Sequence, residues 1–214
     1  MLTVHHLGIS QSERIVWLCE ELGLDYDLKL YQRRADNRLA PDDYKALHPM
    51  GIAPVINDGA LVLGESGAIC EYIDARYGDR RLSPKPDHPD FADHLFWFHW
   101  SNATFMATLM MQLVLGAAGP DAPANPTAAF VADRSRRGWQ MIEHRLGETA
   151  FFGGRDLTLA DIMMVYCVTT SRAFRQTSID PYPNLKRYLQ RIGERPAYQR
   201  AMAKAEPGMP LMLA

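Results

Sequence analysis

Two short motifs in the first half of the chain combine residue types that could hold a small peptide-like ligand. Pro54 stands immediately before a predicted strand, where its missing N–H cannot serve a sheet ladder. About ten residues later, Glu65–Ser66 opens a predicted apolar helix. This pair offers a carboxylate, a hydroxyl and helix N-terminal amides in one place. Together the motifs predict a site for a peptide-like or amino-acid-like ligand.

The elements around these motifs predict a small α/β domain. Apolar periodicity and turn residues indicate strands over 2–7, 25–31, 54–57 and 61–63, and helices over 10–22, 42–47 and 66–77. Ser10 and Glu13 match a capping box, so we expect the first helix to begin at Ser10 and to end at Gly23. The order β-α-β-α-β-β-α suits a mixed four-stranded sheet with helices packed on it, as in a thioredoxin-like domain.

The remainder of the chain predicts a second, all-helical domain. Residues 82–89 hold three prolines and indicate a linker between a domain of residues 1–81 and one of residues 90–214. Thr158 and Asp161 form a second capping-box pattern. Helices are predicted over 91–115, 127–146, 158–174, 183–192 and 197–205, with a Gly/Ala/Pro loop over 116–126.

Composition excludes several classes of function. The 214 residues are 47% hydrophobic with a net charge of −2, so a stabilising metal is not needed and no nucleic-acid partner is indicated. No apolar run is long enough to span a membrane, and the N-terminus lacks the pattern of a signal peptide. Cys19, Cys70 and Cys167 lie in apolar helical patterns without a CxxC pair, which predicts buried, reduced thiols in a cytoplasmic protein.

The order and spacing of several motifs resemble the cytosolic glutathione transferase family over nearly the whole length. The chain looks closest to serine-type bacterial and fungal members, which place a serine four residues before an arginine in the first loop. The motifs are Ser10 with Arg14, Pro54, Glu65–Ser66, Thr158–Ile162, Tyr182–Leu185 and Arg195–Tyr198.

The resemblance implies roles for these residues in binding glutathione, a co-substrate used without any cofactor or metal. Pro54 would follow a cis bond, so that the backbone of Ala53 pairs with the cysteinyl backbone of glutathione. Ser66 would bind the γ-glutamyl carboxylate, and Glu65 the ammonium group. Ser10 would donate a hydrogen bond to the sulfur and lower the pKa of the thiol.

Each of these roles has an alternative. Pro54 could be an ordinary trans proline, and Ser66 could also be a helix cap, which is compatible with binding. The Ser10 hydroxyl could cap the first helix, unless Ser12 is the cap and leaves Ser10 for the sulfur. The alternatives to Ser10 as thiolate donor are Ser12 and a purely structural role for Ser10. Arg14 is expected to brace the loop rather than to contact substrate.

The glycine carboxylate of glutathione poses a separate question. Many relatives carry a basic residue two positions before the cis proline, where this chain has Ile52. Ile52 is therefore predicted to contact glutathione without contributing a charge. A cationic side chain elsewhere must bind the glycine carboxylate. The candidates are Arg33, Arg34, Arg38 and His48. The first loop has no cysteine, which argues against thiol–disulfide chemistry.

The family's second substrate would be a hydrophobic electrophile. The predicted helix over 91–115 is rich in aromatic residues and methionine, and Phe105 and Met106 are the expected pocket residues. Core or dimer packing is the alternative for this helix, and the family implies a homodimer. The main hypothesis is conjugation of glutathione or reduction of organic hydroperoxides. A non-catalytic binding or regulatory protein is the alternative, and an isomerase of small dicarboxylates is a third hypothesis.

Overall fold

A computed structural model describes residues 1–117, 126–175 and 177–214. The chain divides into two compact units, one of Met1–Pro84 with Arg191–Met212 and one of Lys85–Gln190 with Leu213–Ala214. We expected residues 191–212 in a helical domain spanning 90–214, whereas the structure groups them with the sheet. The boundaries at residues 81 and 90 and the linker over 82–89 stay predictions.

The first unit is built on a mixed four-stranded sheet, which confirms the predicted fold class. Its strands are β1 (Leu2–Leu7), β2 (Asp27–Tyr31), β3 (Val55–Asp58) and β4 (Leu61–Gly64). The spatial order is β2-β1-β3-β4, with β2 parallel to β1 and the other two pairs antiparallel.

The strand register brings distant parts of the sequence to one edge of the sheet. Leu7 pairs with Tyr31, His5 with Val55, and Val55 with Gly64. As a result β1, β2 and β4 end, and β3 begins, at the same edge, which we call the site edge.

The helices follow the predicted pattern with a few changes. The described helices are α1 (Glu13–Leu22), α2 (Asp42–Lys45), α3 (Ser66–Tyr77), α4 (Phe91–Trp100), α5 (Ala107–Ala117), α6 (Pro126–Glu148), α7 (Leu159–Val168), α8 (Pro183–Gly193) and α9 (Pro196–Ala205). Most of the predicted loop over 116–126 lies outside the described residues.

The predicted capping box at the start of α1 is wrong. The helix begins at Glu13, and Ser12 stands at the N-cap without a side-chain cap bond. The Ser12 hydroxyl instead bonds to groups of β1 and the following loop, so it is not available to the helix amides. Gly23 ends α1 in the left-handed conformation (φ 67°), as predicted.

Helix α9 completes the first unit by packing against α1. The ring of Tyr198 lies edge-on to the indole of Trp17 at 5.2 Å between centroids. Arg200 Nε lies 3.0 Å from a carboxylate oxygen of Glu20, and Lys204 bonds to the same side chain. These contacts place the C-terminal helix in the sheet unit rather than in the helical one.

Two predicted helices of the second unit are interrupted. A π-helical segment, Ser101–Met106, separates α4 from α5 within the helix expected over 91–115. Helix α7 ends before Thr169, whose backbone (φ −119°, ψ −104°) leaves the helical region, and a 3-10 segment, Thr170–Phe174, follows. Within the described residues, no helix is long and apolar enough to cross a membrane.

The predicted capping box of α7 is present. Thr158 Oγ1 accepts a hydrogen bond from the Ala160 amide at 3.2 Å, and Asp161 Oδ2 accepts one from the Thr158 amide at 2.9 Å. Asp161 Oδ1 also accepts bonds from the Phe152 amide and the Tyr188 hydroxyl. Complete burial raises the pKa of Asp161 to about 6 despite these three donors.

The three cysteines are buried and form no disulfide with one another, as predicted. Burial is the main cause that raises the pKa of Cys19 above its usual range and that of Cys70 to about 12. Neither thiol is therefore suited to act as a nucleophile near neutral pH.

Candidate functional site

The cis bond expected before Pro54 is present in the structure. Ala53 is partly exposed and Pro54 is buried at the start of β3. Because Val55 pairs with Gly64, the cis bond lies beside the end of β4 and the residues that follow it. The register of the sheet thus brings Ala53–Pro54 close to Glu65–Ser66.

Glu65 and Ser66 differ from the expectation in one detail. Glu65, not Ser66, is the N-cap of α3, and the Glu65 side chain forms no cap bond. Glu65 is exposed and adopts φ 69°, ψ 114°, which is uncommon for a residue other than glycine. Ser66 is the first residue of the helix and is buried. The structure therefore places Glu65, rather than the expected Ser66, at the N-cap position.

Arg14 connects the first loop with the start of α3. Its side chain is 1% exposed, and Nη1 donates to the Ser66 hydroxyl at 2.9 Å and to Gln11 Oε1. The contact with Gln11 agrees with the bracing role predicted for Arg14. In addition, the guanidinium adds a positive charge beside the helix N-terminus, where a carboxylate is favoured.

Ser10 and Ser12 are both buried and are bonded to each other. Their Oγ atoms lie 2.7 Å apart, and the Ser12 amide donates to Ser10 Oγ at 3.2 Å. Ser12 is fully buried and its Oγ also accepts from the Leu7 amide at 3.1 Å. Ser10, at 4% exposed, is the more exposed of the two serines.

Two further residues lie behind these serines and were not predicted as site residues. His6 Nδ1 is 2.9 Å from Ser12 Oγ, and His6 Nε2 is 3.1 Å from Glu206 Oε1. Glu206 follows α9 and also accepts a hydrogen bond from the amide of Ile9 in the first loop. Sequence spacing could not reveal this contact, because Glu206 is 200 positions from His6.

Among the four candidate cations, His48 lies beside Gly64 and Ile52. A Cβ atom placed on Gly64 would lie 3.3 Å from His48 Nε2 and 3.4 Å from Ile52 Cδ1. His48 is therefore close to both Ile52 and the residue before Glu65. The Met50 amide donates to His48 Nδ1 at 3.3 Å, so in the neutral ring Nε2 carries the proton.

The three candidate arginines follow β2 and lie beside the first loop. Arg33 donates to the carbonyls of Gly8 and Ile9 at 2.8 and 3.0 Å and so holds the first loop. Arg34 forms an ion pair with Asp36 at 2.8 Å. Together with Arg38, they line a cleft of about 370 Å³ beside the first loop, whose lining residues include Gly8, Ile9, Gln32, Ala35 and Glu206.

Phe105 and Met106 lie in the core of the helical unit. Phe105 is 1% exposed and stacks on Trp100 at 4.9 Å, and a Cβ atom on Gly138 would lie 2.9 Å from its ring. Met106 is also buried. These contacts favour the packing alternative for Phe105, and the pocket role of both residues stays a prediction.

The site edge therefore combines the groups needed to hold a short peptide and to control one of its protons. It presents a partly exposed backbone segment at Ala53, a carboxylate at Glu65, a guanidinium beside Ser66, and the Ser10 hydroxyl. Backbone groups and charges of both signs within one compact unit suit a zwitterionic peptide-like ligand.

Comparisons with known proteins agree with this chemistry. A family model described as the N-terminal domain of glutathione S-transferase matches residues 10–76, and one described as its C-terminal domain matches residues 105–196. Glutathione S-transferase 3 of Schizosaccharomyces pombe is 31% identical over 222 residues, covering 96% of this chain and 88% of the relative.

Solved structures give the same result. A glutathione S-transferase from Actinobacillus pleuropneumoniae superposes with a TM-score of 0.86 and 33% identity, covering 96% of this chain and 93% of the other. A theta class glutathione S-transferase from Xanthomonas axonopodis pv. citri, solved with glutathione bound, superposes with a TM-score of 0.70 and 26% identity. That comparison covers 94% of this chain and 96% of the other.

Proposed function

This chain belongs to the glutathione S-transferase family of enzymes, and from that premise we propose where it binds glutathione and what it does with it. The proposal rests on one observation. The sheet unit contains the cis Ala53–Pro54 bond, Glu65–Ser66 and the Ser10 loop, all at the site edge. The Ala53 backbone would pair with the cysteinyl residue. Glu65 would bind the ammonium group, and Ser66 with Arg14 would bind the γ-glutamyl carboxylate.

The remaining end of glutathione would be bound by His48. Its Nε2–H is positioned as a donor beside Ile52 and Gly64, which are next to the cis bond and Glu65. A donor at this place would replace the basic side chain that Ile52 lacks. Arg33 already bonds to loop carbonyls, and Arg34 pairs with Asp36. Arg38 is the remaining candidate cation for the glycine carboxylate.

We further propose that Ser10 holds the sulfur of glutathione as a thiolate, which attacks hydrophobic electrophiles. Organic hydroperoxides are a second substrate class for the same thiolate. A hydrogen bond to a developing thiolate favours its charged form, and a thiolate is the reactive form of sulfur. A homodimer and a cytoplasmic location stay predictions from the family resemblance.

The test combines binding and turnover. Calorimetry with glutathione should show saturable binding, and Ser10→Ala should lower the rate of conjugation to a model aromatic halide between about pH 6 and 8 by roughly tenfold or more, while binding persists. Ser83→Ala, on a serine that bonds to Asp74, is the matched control and should leave the rate unchanged. Unchanged turnover in Ser10→Ala would reject the serine assignment. Absence of binding would favour the non-catalytic alternative.

A further inference from the structure

A continuous chain of buried polar side chains leads from Ser10 into the interior of the sheet unit. It runs from Ser10 to Ser12, His6 and Glu206, with successive contacts of 2.7, 2.9 and 3.1 Å. None of the four residues is more than 8% exposed. All three distances are within the range in which a proton passes between heavy atoms.

The ends of this chain fix the direction of its hydrogen bonds. Glu206 is a carboxylate and can only accept, so His6 Nε2 carries the proton that is shared with it. In the neutral ring His6 Nδ1 is then an acceptor, and at 2.9 Å it is the nearer of two acceptors for the single hydroxyl proton of Ser12, since the Leu7 carbonyl is 3.4 Å away. Ser12 Oγ must in turn accept the hydroxyl proton of Ser10.

This direction has a consequence for the sulfur ligand. The Ser10 hydroxyl has one proton, and in this arrangement that proton points to Ser12, away from any ligand. Ser10 Oγ accepts one bond from the Ser12 amide and keeps a second acceptor position. Ser10 thus meets a ligand as a proton acceptor, whereas stabilising a thiolate requires a donor.

We propose that the thiol proton of glutathione is passed through Ser10 and Ser12 to His6, with Glu206 holding the resulting imidazolium. The inference rests on the proposed binding of glutathione sulfur at Ser10. The S–H bond breaks as Ser10 Oγ gains that proton, Ser10 passes its own proton to Ser12, and Ser12 passes its own to His6 Nδ1. Three protons move by one place each, no electrons are exchanged, and the products are a thiolate and an imidazolium beside a carboxylate.

The transfer reverses the hydrogen bonds between Ser10, Ser12 and His6, whereas His6 Nε2–H still donates to Glu206. His6 Nδ1–H then donates to Ser12, Ser12 donates to Ser10, and Ser10 donates to the thiolate. The same serines therefore accept the proton first and stabilise the anion afterwards. His6 and Glu206 are positioning residues in this scheme, because neither contacts the sulfur, and their arrangement follows the logic of a nucleophile, a base and an orienting carboxylate.

The charged groups around His6 are consistent with a stored proton. Glu206 faces the ring from the end of α9, and its Oε1 is also fixed by the Ile9 amide. Arg33, in the segment after β2, lines the same cleft as Glu206, and its guanidinium bonds to the carbonyls of Gly8 and Ile9. On the same strand, His5 bonds to Tyr31 and Asn57, so it does not join the chain.

The test counts protons while glutathione binds. Calorimetric titrations in two buffers of different ionisation enthalpy give the number of protons released, and the ultraviolet absorbance of the thiolate gives its fraction. We expect the wild-type enzyme to form the thiolate with almost no proton released to the buffer. Thiolate formation with release of about one proton per site would overturn the relay. S-methylglutathione, which has no thiol proton, is the control ligand and should give no proton exchange.

Variants separate the relay from the folding of the loop. Glu206→Gln keeps an acceptor of the same size for His6 and Ile9 but removes the charge, and His6→Gln removes the base. Both should lower the ratio of thiolate to thiol in bound glutathione by roughly tenfold, the effect of one pKa unit, with S-methylglutathione affinity retained. His5→Gln is the matched control and should keep the wild-type fraction. A wild-type thiolate fraction in Glu206→Gln would overturn the role of the carboxylate.

A failure of glutathione binding itself would be recognised separately. If neither glutathione nor S-methylglutathione binds to the wild-type protein, the proposed function fails and the relay fails with it. If both ligands bind and only the thiolate is absent in the wild-type protein, binding at the site edge stands and the relay alone is rejected.

Discussion

Most polar side chains at the site edge are already paired within the protein. Ser66 accepts from Arg14, His48 accepts from the Met50 amide, and Ser10 bonds to Ser12. These bonds hold the Arg14 guanidinium, the His48 imidazole and the Ser10 hydroxyl in fixed orientations. Such fixed groups reduce the conformational entropy that is lost when a flexible tripeptide binds.

The proposed role of His48 makes a specific prediction about affinity. His48→Ala should weaken glutathione binding by roughly tenfold to a hundredfold, because a hydrogen bond to a charged group contributes about 1.5–3 kcal/mol. Titration calorimetry measures the change. Arg38→Ala, the control at the remaining candidate cation, should leave the dissociation constant unchanged.

A shortened ligand identifies the group that His48 binds. γ-Glutamylcysteine lacks the glycine carboxylate, so His48→Ala should not affect its affinity, while the wild-type protein should bind it more weakly than glutathione. If both ligands lose affinity equally in His48→Ala, His48 acts on the fold of the loop rather than on the carboxylate.

A residue at the site edge could be predicted from the sequence only where it belongs to a local motif. The cis bond at Pro54 and the start of α3 at Ser66 belong to local motifs, and both are present in the structure. The helix start predicted at Ser10 was wrong because the serine hydroxyls bond to β1 and the loop instead of the helix amides. His6 lies in the predicted first strand, but its acceptor, Glu206, is contributed by the other end of the chain.

At the scale of elements, the capping box of α7 shows how one buried carboxylate organises a helix start. Asp161 accepts from the amides of Thr158 and Phe152 and from the Tyr188 hydroxyl. The local pattern Thr158 to Asp161 predicts the first of these contacts. The other two join the helix start to segments that a local pattern does not include.

The raised pKa of Asp161 predicts how the stability effect of its replacement depends on pH. In the folded protein this pKa is about 6, above the ordinary 3.8, so the folded state binds the proton more tightly. Asp161 therefore stabilises the fold most at low pH, and this contribution is lost as pH rises from about 4 to about 6. The destabilisation by Asp161→Asn should be larger near pH 4 than near pH 7, by up to about 3 kcal/mol.

Urea unfolding at several pH values measures this difference. Thr158→Ala removes the cap hydroxyl but no titratable group, so it should cost about 1 kcal/mol at every pH. A cost of Asp161→Asn that grows with rising pH would contradict the predicted direction.

Helix interruptions show a further limit of sequence patterns. Apolar periodicity continues through Ser101–Met106, yet this stretch is π-helical, with the Ser101 hydroxyl donating to the Phe98 carbonyl at 2.6 Å. Phe105 in the same stretch fits against Gly138 of α6. Such packing between distant helices, which periodicity does not report, accounts for the difference between the predicted and observed elements.

At the scale of the whole molecule, the chain returns to its first unit after building the second. Residues 191–212 join the sheet unit, although composition and periodicity placed them with the other helices. Their contribution is twofold: α9 covers Trp17 of α1, and Glu206 reaches His6. Both contacts are too distant in sequence to be predicted from a local pattern.

A chain that ends at Glu194 tests the first contribution. It lacks α9, so Trp17 would lose the contact with Tyr198, and Glu20 would lose its two cationic partners. We expect the amides of α1 to lose protection in hydrogen exchange, because burial against α9 contributes to the stability of this region. The amides of α7, which belongs to the other unit, should keep their protection.

A chain that ends at Ala205 separates packing from proton transfer. It keeps α9 and should therefore retain the protection of α1, but it lacks Glu206 and should form less thiolate with glutathione, as Glu206→Gln does. If the chain ending at Glu194 protects α1 as well as the full chain, α9 is not needed to complete the sheet unit. Equal loss of α1 protection in both chains would instead show that the residues after α9, rather than the helix, stabilise α1.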